Sequence, residues 1–270
     1  MQWEYKQFWR VFQRKKRPLR YLFGLLLRVT RLSPLFTINT KRYRLRFFPT
    51  NLTATLFEDP AARETDEAFI DFIVKPGDII VDIGANVGTF SLAAARAAGP
   101  RGKVYAFEPH PRIYSHLLAN VRLNNYKTIR VQNLAIGNKN ERRRLSDERS
   151  DDVNHLVDND GVPVAMRTLD SLFPGSQRIS LLKIDVEGYE LYVLQGASQL
   201  LNRTDCVYIE SYGPNLRRYG FTTENLRRTL VAAGFRLYRF KNGKLSLVPK
   251  NGRLPWQLIA LRPVRTLPST

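Results

Sequence analysis

From residue 66 onward, short apolar runs alternate with amphipathic stretches, and this alternation limits the fold more than any other feature of the chain. Extended runs are predicted at 79–83, 103–108, 129–134, 180–186 and 206–211, with two later ones near 235–240 and 256–262. Helical periodicity fills the intervals at 66–74, 88–98, 111–124, 189–201 and 222–233; in the third, Ile113, Leu117, Leu118 and Val121 share one face. Pro76-Gly77 and Gly99-Pro100 punctuate the pattern. Strands that are apolar on both faces must be covered on both, so the pattern predicts an α/β fold with a mostly parallel sheet between two helical layers. Ligands of such sheets lie at the carboxyl ends of the strands.

The first strand ends in "VDIGANVGTF", where the chain reaches Asp82 and then runs through Gly84, Ala85, Asn86 and Gly88 into a helix. Gly84 permits a tight turn and close backbone approach, and the helix start offers free N–H groups. A dinucleotide fingerprint needs glycine where Asn86 stands, and a P-loop needs Gly-Lys-Ser/Thr, so neither phosphate cradle is present. An acid ahead of the glycines repels phosphate and suits the ammonium of an amino-acid moiety, a group that S-adenosylmethionine carries. Glu108 ends the next strand, where a carboxylate can accept both hydroxyls of a ribose, a placement shared with nicotinamide enzymes. A plain strand-end cap is its alternative.

A second acidic element, "KIDVEGYE", closes the strand at 180–186. Lys183 and Asp185 point to one face, and a lysine inside a central parallel strand needs a carboxylate partner. Asp185, with Glu187 on the following loop, is placed to orient and deprotonate an acceptor, and Lys183 joins them as part of the catalytic group. In the alternative reading Asp185 caps the next helix and Glu190 pairs on its surface. Glu210, Tyr212 and Tyr189 stand where they can face an acceptor, the tyrosines either stacking on a ring or packing in the core. His155 lies in the acidic loop "SDDVNHLVDND", within a segment, 138–165, that suits a substrate-covering loop; it is read as a base or as a solvated loop residue. His110, His116 and His155 lack metal-site spacing and Cys206 is the single cysteine, so no metal is expected.

Charge divides the chain. Residues 1–48 hold 13 Lys and Arg against Glu4 alone, so this stretch carries +12 of the net +19. Phe8, Val11 and Phe12, then Leu19, Leu22, Phe23, Leu26 and Leu27, fall at helical spacing among basic residues, predicting a helical arm over 1–40. Its uncharged run at 21–27 is far shorter than the ~20 residues of a spanning helix. With Trp3 and Trp9, residues 1–32 either lie on an anionic membrane surface or pack on their own domain. No secretory signal is read, so the expected location is cytoplasmic, at the membrane periphery if the arm meets lipid. A strand-containing lead-in, with "YRLRFFP" as its strand, is expected over 41–65, the main domain over 66–265 and a tail over 266–270. The pI near 10.3 invites nucleic acid, but acids at the cleft mouth repel phosphate, so that partner is not expected.

The stretches "PGDIIVDIGANVGTFSLAAA", "VYAFEPHPRIYSHLLANVRLNN" and "LLKIDVEGYELYVLQGASQLL" together resemble the FkbM family of S-adenosylmethionine-dependent methyltransferases, in matching order over about residues 41–262. The resemblance implies the class I methyltransferase (Rossmann-like) fold, with seven strands and an antiparallel last one. It implies S-adenosylmethionine as cofactor, with Asp82, Gly84, Ala85, Asn86 and Gly88 around the methionine part, Glu108 on the ribose, and Asn133 and Ala135 near the adenine. It also includes "RTLDSL", where Asp170 is read as a turn acid capping a helix around 171–173. Family members act mainly on hydroxyls of sugars, lipids and natural products, and such an acceptor is expected here, with a carboxylate as base. Two alternatives stand beside it: an RNA methyltransferase that holds nucleic acid with the arm, and a membrane-tethered scaffold that binds cofactor without activity.

Overall fold

The computed structural model describes residues 17–148 and 154–263 together with Phe12. The first arm helix predicted from the sequence, with Trp3, Phe8, Trp9 and Val11, lies outside the described residues. The second is present as α1 (Pro18–Val29), with Pro18 in its first turn. A 3-10 turn (Ser33–Leu35) leads to a hairpin of β1 (Thr37–Asn39) and β2 (Arg44–Arg46), which buries Ile38 and Leu45 inward and exposes its other residues. Helix α2 (Asn51–Glu58) follows, its first turn capped by the Thr50 hydroxyl, which accepts from Thr53 N–H. Helix α3 (Glu64–Ile73) anchors this lead-in: Arg42 forks to Glu67 at 2.7 Å and Asp71 at 2.6 Å, and the Tyr43 hydroxyl donates to Glu67 at 2.6 Å.

The main domain then alternates as predicted. Strand β3 (Ile79–Ile83), α4 (Thr89–Ala98), β4 (Lys103–Phe107), α5 (Pro111–Leu123) and β5 (Ile129–Gln132) form its first half. A small second sheet interrupts, built from β6 (Ala135–Ile136), β7 (Glu141–Leu145), β8 (Leu156–Val157) and β9 (Val162–Arg167). The chain resumes with α6 (Leu169–Leu172), β10 (Leu181–Ile184), α7 (Glu190–Gln195), α8 (Ser198–Leu201), β11 (Cys206–Glu210), α9 (Gly213–Arg218) and α10 (Thr223–Ala232). It closes with β12 (Arg236–Lys241), β13 (Lys244–Leu247) and β14 (Gln257–Leu261).

The main sheet runs β13-β12-β14-β11-β10-β3-β4-β5. Strands β11, β10, β3, β4 and β5 are parallel, and β14 is antiparallel to β11 and β12. The last strand is thus reversed, as expected, but the sheet has eight strands where the sequence predicts seven. The extra one is β13, joined to β12 through Asn242-Gly243, both at positive φ, the signature of a tight hairpin. One buried cluster lies on each face of the sheet, with Phe69 stacked on Tyr208 at 4.7 Å in one of them.

Three local expectations are corrected. The predicted helix 189–201 is two helices, because Gly196 lies against the Gly137 carbonyl: a Cβ there would sit 2.0 Å from that oxygen. The predicted strand 129–134 ends at Gln132 and the chain re-pairs as β6 in the second sheet. Asp170 caps a different helix from the one next to it. Thr168 caps α6, while the Asp170 carboxylate accepts from Gln199 and Leu200 N–H at the start of α8.

Candidate active site

The carboxyl ends of β3, β4, β10 and β11 converge on a cleft of about 400 Å³. Its first wall is made by backbone. The N–H groups of Gly84 and Ala85 both donate to the Phe107 carbonyl, tying the turn after β3 to the end of β4. Gly84 has φ +71°, and a Cβ there would lie 1.9 Å from the Asp185 carbonyl oxygen, so only glycine fits. Asn86 also takes a left-handed φ of 50°, and its side-chain oxygen accepts from Val87 N–H at 2.7 Å. Asparagine tolerates that conformation and supplies its own local bond, which explains its presence where a phosphate cradle has glycine. Gly88, the N-cap of α4, sits outside the cleft lining, pressed against Leu117.

Glu108 crosses between the two turns. Its carboxylate accepts from Asn86 N–H and His110 N–H, both at 2.9 Å. Burial pushes this carboxyl up to about 7, against the pull of those two bonds. Asn133 donates to the carbonyls of Glu108 and Pro109 and braces the loop without lining the cleft, whereas Leu134, Ala135 and Ile136 do line it.

Asp82 takes a position that the sequence does not predict. It is fully buried and does not line the cleft. One of its oxygens accepts from Ser91 at 2.5 Å, and the other lies 3.2 Å from the Lys183 ammonium. The cation facing Asp82 is therefore the chain's own. Lys183 also donates to the Gly84 carbonyl at 2.6 Å and lies 3.7 Å from Asp185, so it links both acidic motifs at the cleft floor. Burial opposes its charge, but Asp82 and Asp185 outweigh burial and its pKa is raised.

The second wall is made by side chains. Carboxylate oxygens of Asp185, Glu187 and Glu210 come within 4.8 Å of one another. Glu187 holds a left-handed φ of 54° on a loop stapled by Glu190, whose buried carboxylate accepts from Val186 and Gly188 N–H. Glu190 is thus interior, not surface-paired, and Asp185 faces the cleft while Glu190 holds the approach to the helix. Glu210 accepts from the Trp256 indole N–H at 2.8 Å, and Asn215 donates to Glu187 at 2.7 Å. Burial first, then the Asp185 charge, pushes Glu210 up to about 7. These acids could hold a metal ion, a grouping that His and Cys spacing does not anticipate, since it joins one loop to a neighbouring strand.

The remaining predicted residues separate. Tyr189 and His155 line the cleft; Tyr189 is packed edge-on against Tyr219, and His155 reaches in from β8's edge with Nδ1 3.5 Å from the Ser146 hydroxyl. Tyr212 does not line it but stacks on Trp256 at 4.3 Å. Trp256, Leu52, Arg63 and Asp66 also line the cleft without having been anticipated. Trp256 was legible in principle: it immediately precedes an antiparallel strand, whose beginning lies beside the carboxyl ends of its parallel neighbours. Arg63 pairs with Asp66 at 3.1 Å, and the Tyr208 hydroxyl donates to Asp66 at 2.6 Å.

Residues 82–237, more than half of the chain, match the methyltransferase FkbM domain. The chain is 29% identical over 178 residues to Methyltransferase 1 of Beauveria bassiana, covering 53% of this chain and 71% of that protein. It is 29% identical over 140 residues to the hexuronic acid methyltransferase AglP of Haloferax volcanii, covering 49% of this chain and 55% of that one. The 2-O-methyltransferase NoeI of Sinorhizobium fredii is 27% identical over 163 residues, with 52% of this chain and 66% of that protein aligned. Among solved structures, the SAM-dependent O-methyltransferase of Thermotoga maritima aligns with a TM-score of 0.44 and 16% identity over 74% of this chain and 66% of that one. The cleft's donor set suits such a cofactor: a buried carboxylate for a diol, a glycine turn that brings the chain close without a side chain, apolar Leu134 and Ile136 for a flat base, and acids for a sulfonium. Because the matched region holds this turn and these carboxylates, the chain belongs to the FkbM family and is an S-adenosylmethionine-dependent methyltransferase.

Proposed function

We propose that the enzyme methylates a hydroxyl of a sugar, glycolipid or natural-product acceptor, with Glu210 receiving the hydroxyl proton and Asp185 orienting the oxygen. The observation that carries this reading is the convergence of Asp185, Glu187 and Glu210 beside the Gly84 turn. When bound, S-adenosylmethionine supplies an electrophilic methyl on a sulfonium. Glu108 would hold its ribose, the backbone of residues 84–86 its methionine part, and Leu134 to Ile136 its adenine. The chain's own task is then to align an oxygen and take its proton, where a positioned base contributes typically ~10²–10⁴-fold. The sequence points to Asp185 or Glu187 for this. Burial raises Glu210 toward neutrality and makes it a stronger base than an ordinary carboxylate, while Asp185 stands by the Lys183 ammonium and Glu187 accepts from Asn215.

A ring-shaped acceptor is supported by Trp256. It lines the cleft while Tyr212, stacked on it, does not, so Tyr212 backs the indole and leaves the other face toward the cleft. The names of two relatives support the two halves of this reading: a hexuronic acid methyltransferase, a sugar acceptor, and a 2-O-methyltransferase, transfer to oxygen. Five acids line the cleft against two basic side chains, which disfavours a phosphodiester backbone.

The test is incubation with methyl-labelled S-adenosylmethionine and separated glycolipid, soluble saccharide, RNA and protein fractions. Label in saccharide or glycolipid, lost in Glu210→Gln and Asp185→Asn with cofactor affinity retained, is the expected result. Label in RNA alone sinks the reading, and loss of cofactor binding in Asp185→Asn moves that residue to the cofactor.

A further inference from the structure

Helix α1 faces the wrong way for a chain that meets only water. Its buried residues are Gly24 and Leu27, which rest on α2 with the Arg20 guanidinium 4.9 Å above the Phe57 ring. Its other side shows Leu19 80% exposed, Leu22 38%, Phe23 45%, Leu26 57% and Val29 81%. At 100° per residue these five fall within one arc of about 120°, an unbroken apolar stripe turned outward. The stripe continues past the helix. Phe23 meets Phe36 edge-on at 5.7 Å, and Leu32 and Leu35 are exposed beside it. Of the twelve large apolar side chains exposed among the described residues, eight belong to this one segment, residues 19–36. Exposed apolar residues scattered singly need no explanation, but a contiguous patch of this kind marks a surface that meets something apolar.

Charge identifies the partner. Residues 17–46 contain eight Arg and Lys and no acid, and Arg17, Arg28 and Arg31 stand at the two ends of the helix. An acidic protein groove would match the charge or an apolar groove the stripe, whereas an anionic bilayer matches both at once: acyl chains under the stripe, headgroups around the arginines. No helix among the described residues is long and apolar enough to cross a membrane, so the fitting geometry is a helix lying in the interface. We infer that residues 19–36 form a docking face for an anionic lipid bilayer, with α1 lying in the plane of the headgroups. Because α1 rests on α2, and α2 contributes Leu52 to the cleft, the segment that meets lipid adjoins the cleft. The inference does not depend on which acceptor is methylated.

The experiment is flotation of the full chain with vesicles of phosphatidylcholine alone and of phosphatidylcholine with a minority of phosphatidylglycerol. The expected result is at least about tenfold more protein floating with the anionic vesicles, weakened by added salt. Leu19→Glu/Leu26→Glu abolishes flotation while leaving the melting temperature and cofactor affinity unchanged, since both side chains are more than half exposed. Protein that floats with neither vesicle overturns the inference, and so does a double variant that floats like the parent. A concentration-dependent dimer lost in the double variant, without flotation, gives the face to a second copy of the chain instead.

Discussion

The two walls of the cleft are built from different materials. The wall we propose for the cofactor is built around one continuous stretch after β3, where backbone N–H groups and left-handed residues fix the shape and the neighbouring loop closes over it. The wall we propose for the acceptor gathers side chains from the lead-in, the loop after β10, the end of β11 and the start of β14. A backbone-built wall has little freedom to change, because each residue holds its neighbours; a side-chain wall can be altered one group at a time. Substitutions should therefore act on stability at the first wall and on turnover at the second. The largest effect is expected from Gly84→Ala, whose methyl would meet the Asp185 carbonyl at 1.9 Å from a backbone already at φ +71°. A loss of about 3 kcal/mol or more is expected, with no measurable cofactor binding, because the obstacle is backbone and cannot rotate away. Urea denaturation checks it: a variant within about 1 kcal/mol of the parent would erase the contrast between the walls.

Glu210→Gln probes the opposite wall. The amide keeps the shape and can still accept from the Trp256 indole, but it cannot take a proton, so kcat should fall by ~10²–10⁴ with the cofactor Kd unchanged. Acidity sharpens this. A base works when ionised, and burial with the Asp185 charge raises Glu210 to about 7, so kcat/KM in the parent should climb with pH through about 7 and level off above it. A pH–rate profile that is flat from 6 to 8 would remove Glu210 from that role and return it to Asp185 or Glu187.

Glu108→Gln should do the reverse. Losing a charged acceptor shared by Asn86 and His110 N–H weakens cofactor affinity by about 1.5–3 kcal/mol, roughly 10- to 100-fold, with kcat at saturation little changed. Calorimetric titration with S-adenosylmethionine separates the two walls directly. If Glu108→Gln lowers kcat as much as affinity, the carboxylate serves chemistry as well as binding.

The same division explains what the sequence discloses. Gly84, Asn86 and Glu108 stand close in sequence, and glycine, asparagine and acid at the ends of apolar runs are local signals with local causes. The acceptor wall has no such signature. Arg63 and Trp256 are separated by most of the chain and meet only when β14 reverses beside β11. The lysine partner of Asp82 lies 101 residues away, so an acid that reads as a ligand for an ammonium is already matched by Lys183. The second sheet was hidden for another reason. Strand β7 reads Glu-Arg-Arg-Arg-Leu, and its pairing with β9 buries only Leu145 from that run, leaving no period-two apolar pattern to detect.

The smallest expected effect tests how far the acceptor wall extends. Tyr212 stacks on Trp256, parallel to within 13°, and does not itself line the cleft. Tyr212→Leu keeps an apolar neighbour but removes the flat support, which for an aromatic pair is worth about 0.5–1.5 kcal/mol beyond burial. Trp256 would then sample more orientations about its hydrogen bond to Glu210, and the acceptor would meet a less settled surface. Acceptor KM should rise roughly 2- to 10-fold, the kinetic equivalent of that range, while cofactor Kd and the pH dependence of kcat/KM stay as in the parent. Trp256→Ala, which removes the surface itself, should exceed it on KM. An equal change in cofactor Kd would show instead that both rings belong to the cofactor wall, and would place the boundary between the two walls on the other side of Glu210.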